Sequence, residues 1–226
     1  MCSRYNLTSP TEAVRAYFRI AASDTFPPRY NIAPTEPVAI VRMAPDGTRE
    51  LRLVRWGLIP GWVKDPRDFR LIVNARAESA AEKPSFRGGL RHRRCLVPAN
   101  GFYEWTGPAR ARIPSLLRPR AGGLLALGAI AEHWLGADGS EVETMAIMTV
   151  PANGTIAPLH DRMPVILAPE AFDRWLDCRR GEANSIADLL ASAPDDLLEA
   201  VEVNPALNRP GRDGPDLLLP PRPRLL

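Results

Sequence analysis

Two Asp-Gly dipeptides, Asp46-Gly47 and Asp138-Gly139, each stand between runs of aliphatic and β-branched residues. Asp-Gly tolerates the positive φ of a tight hairpin turn, and the flanking runs supply its two strands. The first turn joins PPRYNIAPTEPVAIVRM to TRELRLVRWGLIP, and the second joins GLLALGAIAEHW to ETMAIMTV, with a return strand expected at MPVIL. Strands that arrive as hairpin pairs, with helices inserted between the pairs, do not fit a regular βαβ alternation. They predict an α+β chain with a largely antiparallel sheet.

The helices are placed by their own signals. Ser9-Pro10-Thr11-Glu12 reads as a capping box with proline at the first helical position, opening a helix through AVRAYFRIA with Val14, Tyr17, Phe18 and Ala21 on its apolar face. LIVNARAES reads as a strand running into a short helix; EAFDRWL and SIADLLASA read as helices, the second capped by Ser185 and Asp188. The stretch from Asn204 onward, rich in Pro, Gly and Arg, is expected to be extended and partly loose. At 226 residues the chain is expected to form one domain over 1–226.

Composition then removes several function classes. No run approaches the roughly 20 apolar residues of a membrane span, and the first residues lack a basic start followed by an apolar stretch, so a cytoplasmic location is expected. Cys2, Cys95 and Cys178 are odd in number, widely spaced and free of C-x-x-C, and His92, His133 and His160 are scattered, so neither a disulfide framework nor a metal site is legible. No dinucleotide-binding glycine motif, Walker A motif or G-x-S-x-G is present, and no cofactor is expected. The net charge is +3, yet Lys64 and Lys83 are the only lysines. Arginine suits bidentate phosphate contacts, although codon composition explains the bias equally well.

Scarce lysines focus attention on the amino terminus. Removal of Met1 leaves Cys2 with an α-amine and a thiol on neighbouring carbons, a 1,2-aminothiol able to capture an aldehyde first as an imine and then as a thiazolidine. Four other places put polar residues in apolar settings. In LIVNARAE, Asn74 and Arg76 alternate with Val73 and Ala75, which places both on one side of a strand; a solvated strand edge gives the same pattern. Glu104 lies between Tyr103 and Trp105, a setting that raises a carboxyl pKa when the strand is buried and leaves it ordinary when the strand faces water. His160, Asp161 and Arg162 precede the MPVIL strand, as a polar site or as a structural histidine. Trp56, Ile59 and Trp62 bracket glycine and proline in RWGLIPGW, either as a base-stacking loop or as core.

Taken in order and spacing, MCSRYN, NIAPT, RWGLIPGW, NARAE, RRCLVPANGFYEW and LHDRMPVIL resemble the SRAP (SOS response-associated peptidase) family, from Cys2 to about Leu167 and loosely into VEVNP. That resemblance implies curved, barrel-like antiparallel sheets and a monomer that binds abasic sites in single-stranded DNA, associating with the nucleoid when bound. It implies Cys2 as nucleophile, Asn74 as its positioning partner, Glu104 as acid/base and His160 as the residue addressing the deoxyribose. Arg4, Arg76 and Arg162 would hold phosphates, and Trp56 with Gly57 and their loop would support the neighbouring base. The implied product is a thiazolidine DNA–protein crosslink, with lyase activity and self-removal of Met1 as adjuncts. The rival readings are a cysteine peptidase or amidase acting on an outside substrate and a non-catalytic single-strand-binding module. Glu36 stands where many members carry glutamine, and Arg112-Ile113-Pro114 where many carry a Lys-Gln-Pro-like strand start. Both departures concern edge contacts.

Overall fold

A computed structural model of the chain describes residues 2–21, 25–179, 183–209 and 211–221. Strand β1 (Tyr5–Leu7) leads into helix α1 (Thr11–Phe18), followed by β2 (Arg29–Ile32), β3 (Pro37–Met43) and β4 (Arg49–Trp56). A long loop reaches β5 (Asn74–Arg76), which runs directly into α2 (Ala77–Ala80) and then α3 (Pro84–His92). Next come β6 (Arg94–Ala99), β7 (Gly101–Thr106), β8 (Ile113–Pro119), β9 (Leu125–Leu135) and β10 (Glu141–Pro151). The chain ends with β11 (Arg162–Pro164), α4 (Phe172–Leu176), β12 (Leu198–Glu202) and two 3₁₀ turns, Pro205–Asn208 and Pro215–Leu218.

Both expected hairpins form, and by the same local chemistry. Gly47 and Gly139 sit at φ 85° and 82°. In each turn the aspartate accepts from the residue after glycine: Asp46 Oδ1 from Thr48 N at 2.9 Å and Asp138 Oδ1 from Ser140 N at 3.0 Å. The side chain thereby satisfies backbone that the tight turn leaves unpaired.

The two hairpins, joined by β6, close on themselves. β10 pairs β9, β9 pairs β6, β6 pairs β3 and β3 pairs β4, all antiparallel. β4 then returns to β10 in parallel at Arg55 and Trp56 opposite Thr144 and Met145, giving a closed five-stranded ring. Beyond Met145, β10 exchanges partners. β5 pairs it in parallel from Ile147↔Asn74 to Thr149↔Arg76, and β11 pairs it antiparallel from Thr149↔Pro164 to Pro151↔Arg162. Because both strands pair Thr149, they occupy opposite edges of β10, and the NARAE and HDR segments arrive at the same end of the barrel.

The second sheet is antiparallel throughout, in the order β12-β8-β7-β1-β2. Its inner face joins the main core through Tyr5, Phe102 and Leu117. On its outer face Tyr103 and Leu116 pack with Val203, Leu207 and Leu217 from the C-terminal stretch. Full burial of two leucines supplies roughly 1.5–3 kcal/mol each. The expectation of a loose end is therefore corrected for the described part of 204–221; the last five residues lie outside it.

Two helix expectations also change. α1 stops at Phe18, where Arg19 takes a left-handed φ of 54°, so the helix does not reach Ala21. Its capping box does not form either: Pro10 is the N-cap residue, and Ser9 Oγ instead accepts from Asn100 Nδ2 at 2.8 Å. The SIADLLASA segment is a 3₁₀ helix over Ala183–Leu189, with Asp188 paired to Arg174 instead of capping.

Candidate active site

The amino terminus is sewn into the second sheet. Tyr5 opposes Phe102 on β7, and the ladder continues toward the terminus through a bond from Tyr103 N to Arg4 O at 3.0 Å. At the other end of β1, Asn100 Oδ1 accepts from Thr8 N at 2.7 Å and Ser9 N at 2.9 Å. Cys2 is thus held in place at 1% exposure. Asn74, fixed by its pairing with β10, donates from Nδ2 to Cys2 O at 2.9 Å. Its Oδ1 is buried and has no hydrogen-bond partner among the described residues.

Glu104 lies on β7 at 4% exposure. Burial drives its pKa from 4.5 to about 7, opposed by the ammonium of the chain's amino terminus and reinforced by Asp161. The Cys2 thiol is pushed up as well, by burial first and then by the charge of Glu104, with the amino-terminal ammonium pulling the other way. The resting thiol therefore keeps its proton. Burial, then the same ammonium, lowers the pKa of His160, whose Nδ1 lies 2.9 Å from Arg162 N and 2.8 Å from Asp161 Oδ1. Only one of these contacts suits a given protonation state. The backbone N–H is a permanent donor, so the neutral ring accepts at Nδ1 and carries its proton at Nε2.

Each of these groups feels another: Cys2 feels Glu104, and Glu104 and His160 both feel Asp161. Cys2, Asn74, Glu104 and His160, scattered through the sequence, share one neighbourhood.

The arginines differ in how committed they are. Arg76 is exposed, with no ion pair among the described residues. Arg4 Nη1 donates to Asn31 Oδ1 at 2.8 Å, a neutral partner that leaves its charge uncancelled. Arg162, at 11% side-chain exposure, forms a two-point pair with Glu78 and donates to Thr149 O at 2.6 Å, which ties α2 to β11. The expectation for Trp56 and Gly57 is corrected. Trp56 is 0% exposed, its Nε1 donates to Val73 O at 2.9 Å and its ring meets Tyr5 edge-on at 5.3 Å. Gly57 is also buried, and its N–H donates to Met145 O. These residues shape the loop from inside, whereas the ring that reaches solvent is Trp62, at 59% exposure.

Sequence reasoning passed over Asn31, Glu78 and Asn100, which hold Arg4, Arg162 and the exit of β1. Asn31 and Asn100 lie inside NIAPT and PANGFYEW, and Glu78 directly follows NARA, so asparagines in turn-rich motifs were the available signal. Among the described residues, no group of three metal-ligating side chains comes together.

The family profile described as SOS response associated peptidase (SRAP) matches residues 1–210. The chain belongs to the SRAP family. Among its SRAP relatives, the abasic site processing protein YoqW of Bacillus subtilis is 34% identical over 223 residues, covering 96% of this chain and 99% of that protein. The abasic site processing protein HMCES of Mus musculus is 29% identical over 235 residues, covering 87% of this chain and 66% of that protein. A crystal structure of a Bacteroides thetaiotaomicron protein shares the SRAP fold with a TM-score of 0.86 at 24% identity, covering 97% of this chain and 99% of that chain. One from Bordetella bronchiseptica gives 0.78 at 26% identity, covering 90% and 100%.

Proposed function

We propose that this protein captures abasic sites in single-stranded DNA as a thiazolidine formed by Cys2, acting as a cytoplasmic monomer. The observation that carries the reading is the buried Cys2, held through its carbonyl by Asn74 at 2.9 Å, with the buried carboxyl of Glu104 close enough to act on its thiol. The names of the curated relatives supply the substrate class.

An abasic deoxyribose is mostly a closed hemiacetal. Glu104 protonates the ring oxygen as the C1′–O4′ bond breaks, and the hemiacetal hydroxyl proton passes to water, leaving the aldehyde. The Cys2 amine attacks C1′ and water leaves, giving the imine. Water returns the hydroxyl proton to the imine nitrogen, the thiol then adds to C1′, and the thiol proton passes to the Glu104 carboxylate. One water is lost overall, and Glu104 ends in the state in which it began. A pKa near 7 suits a group that must both give and take a proton.

His160 donates from Nε2 to the sugar oxygen, and Asn74 fixes the Cys2 carbonyl while its open Oδ1 accepts from the Cys2 amine. Arg4 and Arg76 hold flanking phosphates, and Arg162 organises the site through Glu78. Ring closure ties up the nitrogen lone pair that would otherwise promote β-elimination, so the strand is shielded from breakage.

The chemistry requires Cys2 to be terminal. Met1 lies outside the described residues; its loss is assigned to cellular trimming or to attack by Cys2 on the preceding peptide bond. The test is incubation with single-stranded DNA carrying one abasic site, followed by a denaturing gel. A heat-stable crosslink is expected. An outside-substrate amidase or a simple binding module gives none, and that result would overturn the proposal.

A further inference from the structure

The outer face of the second sheet carries a strap made by the C-terminal turns, and two asparagines tie that strap to the candidate site. Asn31, on β2, accepts from Arg4 and donates from Nδ2 to Arg212 O at 2.9 Å and Leu207 O at 3.4 Å. Asn208 accepts from Trp105 Nε1 at 2.7 Å, one residue beyond Glu104, and donates from Nδ2 to Arg112 O at 2.9 Å. The strap between Leu207 and Arg212 therefore connects Arg4 on one side with the β7–β8 loop on the other.

Along this connection stand Arg209 on the strap and Arg110 and Arg112 on the loop. All three are exposed, and none has an ion pair among the described residues. The acids nearby in sequence are engaged elsewhere. Asp213 Oδ1 accepts from Tyr30 N at 2.6 Å, and Asp216 pairs with Arg212 at 2.8 Å. Glu202, at the end of β12, forms no ion pair with any of the three. Other arginines among the described residues are matched to acids, as in Arg42–Glu50, Arg118–Glu199 and Arg174–Asp188. Unmatched guanidiniums following a backbone strap past Arg4 suit a polyanion whose charges repeat along a chain.

We propose that Arg209, Arg112 and Arg110 continue the phosphate track that begins at Arg4, so that the strap binds the single-stranded DNA flanking the captured site. This inference rests on the DNA-capture reading given above. The strap is then part of the DNA-binding surface, and affinity grows with the length of strand on that side of the lesion.

The test compares the parent with a variant combining Arg110→Ala, Arg112→Ala and Arg209→Ala, and with a control that loses equal charge from the α3 segment through Lys83→Ala, Arg87→Ala and Arg91→Ala. Binding to labelled, intact single-stranded DNA is followed by anisotropy over a salt series, and crosslinking is followed at saturating abasic DNA. Each phosphate contact on a single strand contributes a slope of about 0.7 in log K against log salt, so losing three lowers the slope by about 2. The expected result is that fall in the strap variant alone, loss of the advantage of longer strands, and unchanged crosslinking at saturation. An unchanged slope, or an equal fall in the control, overturns the strap assignment while leaving capture by Cys2 intact. A parent that neither binds nor crosslinks single-stranded DNA overturns the functional reading itself, and the strap assignment with it.

Discussion

Replacing Glu104 by glutamine should make the protein more stable and less active, with the stability gain confined to one side of a pH window. Burial first, with Asp161 adding to it, holds the Glu104 carboxyl at about 7 against an ordinary value of 4.5. One pH unit corresponds to about 1.4 kcal/mol, so ionising this group costs the folded state about 3 kcal/mol relative to the unfolded chain. Between 4.5 and about 7 the folded protein keeps a proton that the unfolded chain has released. Its contribution to stability is therefore full below 4.5 and is lost as pH rises through about 7.

Glutamine has nothing to release. The stability of Glu104→Gln relative to the parent should thus rise by about 3 kcal/mol across the window, and urea unfolding of both proteins at its two ends measures it. Crosslinking should slow by roughly 10²–10⁴-fold and lose its inflection near neutrality, while intact single strands bind as before. Trapping of an oligonucleotide bearing a free alkyl aldehyde, which needs no ring opening, should change far less. Parallel stability curves for the two proteins would refute the reasoning, because they would show that Glu104 titrates normally.

Asn74→Ala removes the bond to Cys2 O. One hydrogen bond of about 1 kcal/mol predicts a fivefold to tenfold slower crosslink in single-turnover kinetics, with DNA affinity unchanged. Arg162→Ala should destabilise by about 1–3 kcal/mol in denaturant, because Glu78 and Thr149 O lose their donor. Arg76→Ala should stay within about 0.5 kcal/mol in the same assay and should lower the salt slope of DNA binding by about 0.7. Gly57→Ala should cost about 1–3 kcal/mol by thermal or urea unfolding. Gly57 sits at φ 137°, and a Cβ there would lie 2.5 Å from Leu71 Cδ1.

What was legible in the sequence was local. The Asp46-Gly47 and Asp138-Gly139 hairpins declare themselves because the turn residue, its glycine and the next hydroxyl residue are consecutive. NARAE likewise shows its passage from strand to helix within a few residues. Closure of the ring was implied by the family resemblance alone, because β4 meets β10 through a parallel contact at only Arg55 and Trp56 that carries no local mark. Nor does anything in RWGLIPGW say which tryptophan turns inward. That is decided by Tyr5 and the carbonyl of Val73, both distant in sequence. The C-terminal stretch reads as loose by its prolines and packs because Leu207 and Leu217 find Tyr103 and Leu116 across the fold.

The site divides in the same way. The aromatic setting of Glu104 admits either a raised or an ordinary pKa, and burial on β7 decides for the raised one. The pairing of Arg162 with Glu78 spans 84 residues and carries no local mark.

The central claim is that the amine and the thiol of Cys2 both bond to C1′ of an abasic site. Intact mass and peptide mapping of the adduct test it most directly. The predicted mass is that of the protein without Met1 plus the DNA, less one water. The modified peptide should carry Cys2 with a thiol that no longer alkylates, while Cys95 and Cys178 remain alkylatable once unfolded. Cys2→Ala should give only an imine that needs reduction to survive. An adduct mapped to Lys64, Lys83, Cys95 or Cys178, or one formed as durably by Cys2→Ala, would contradict the account.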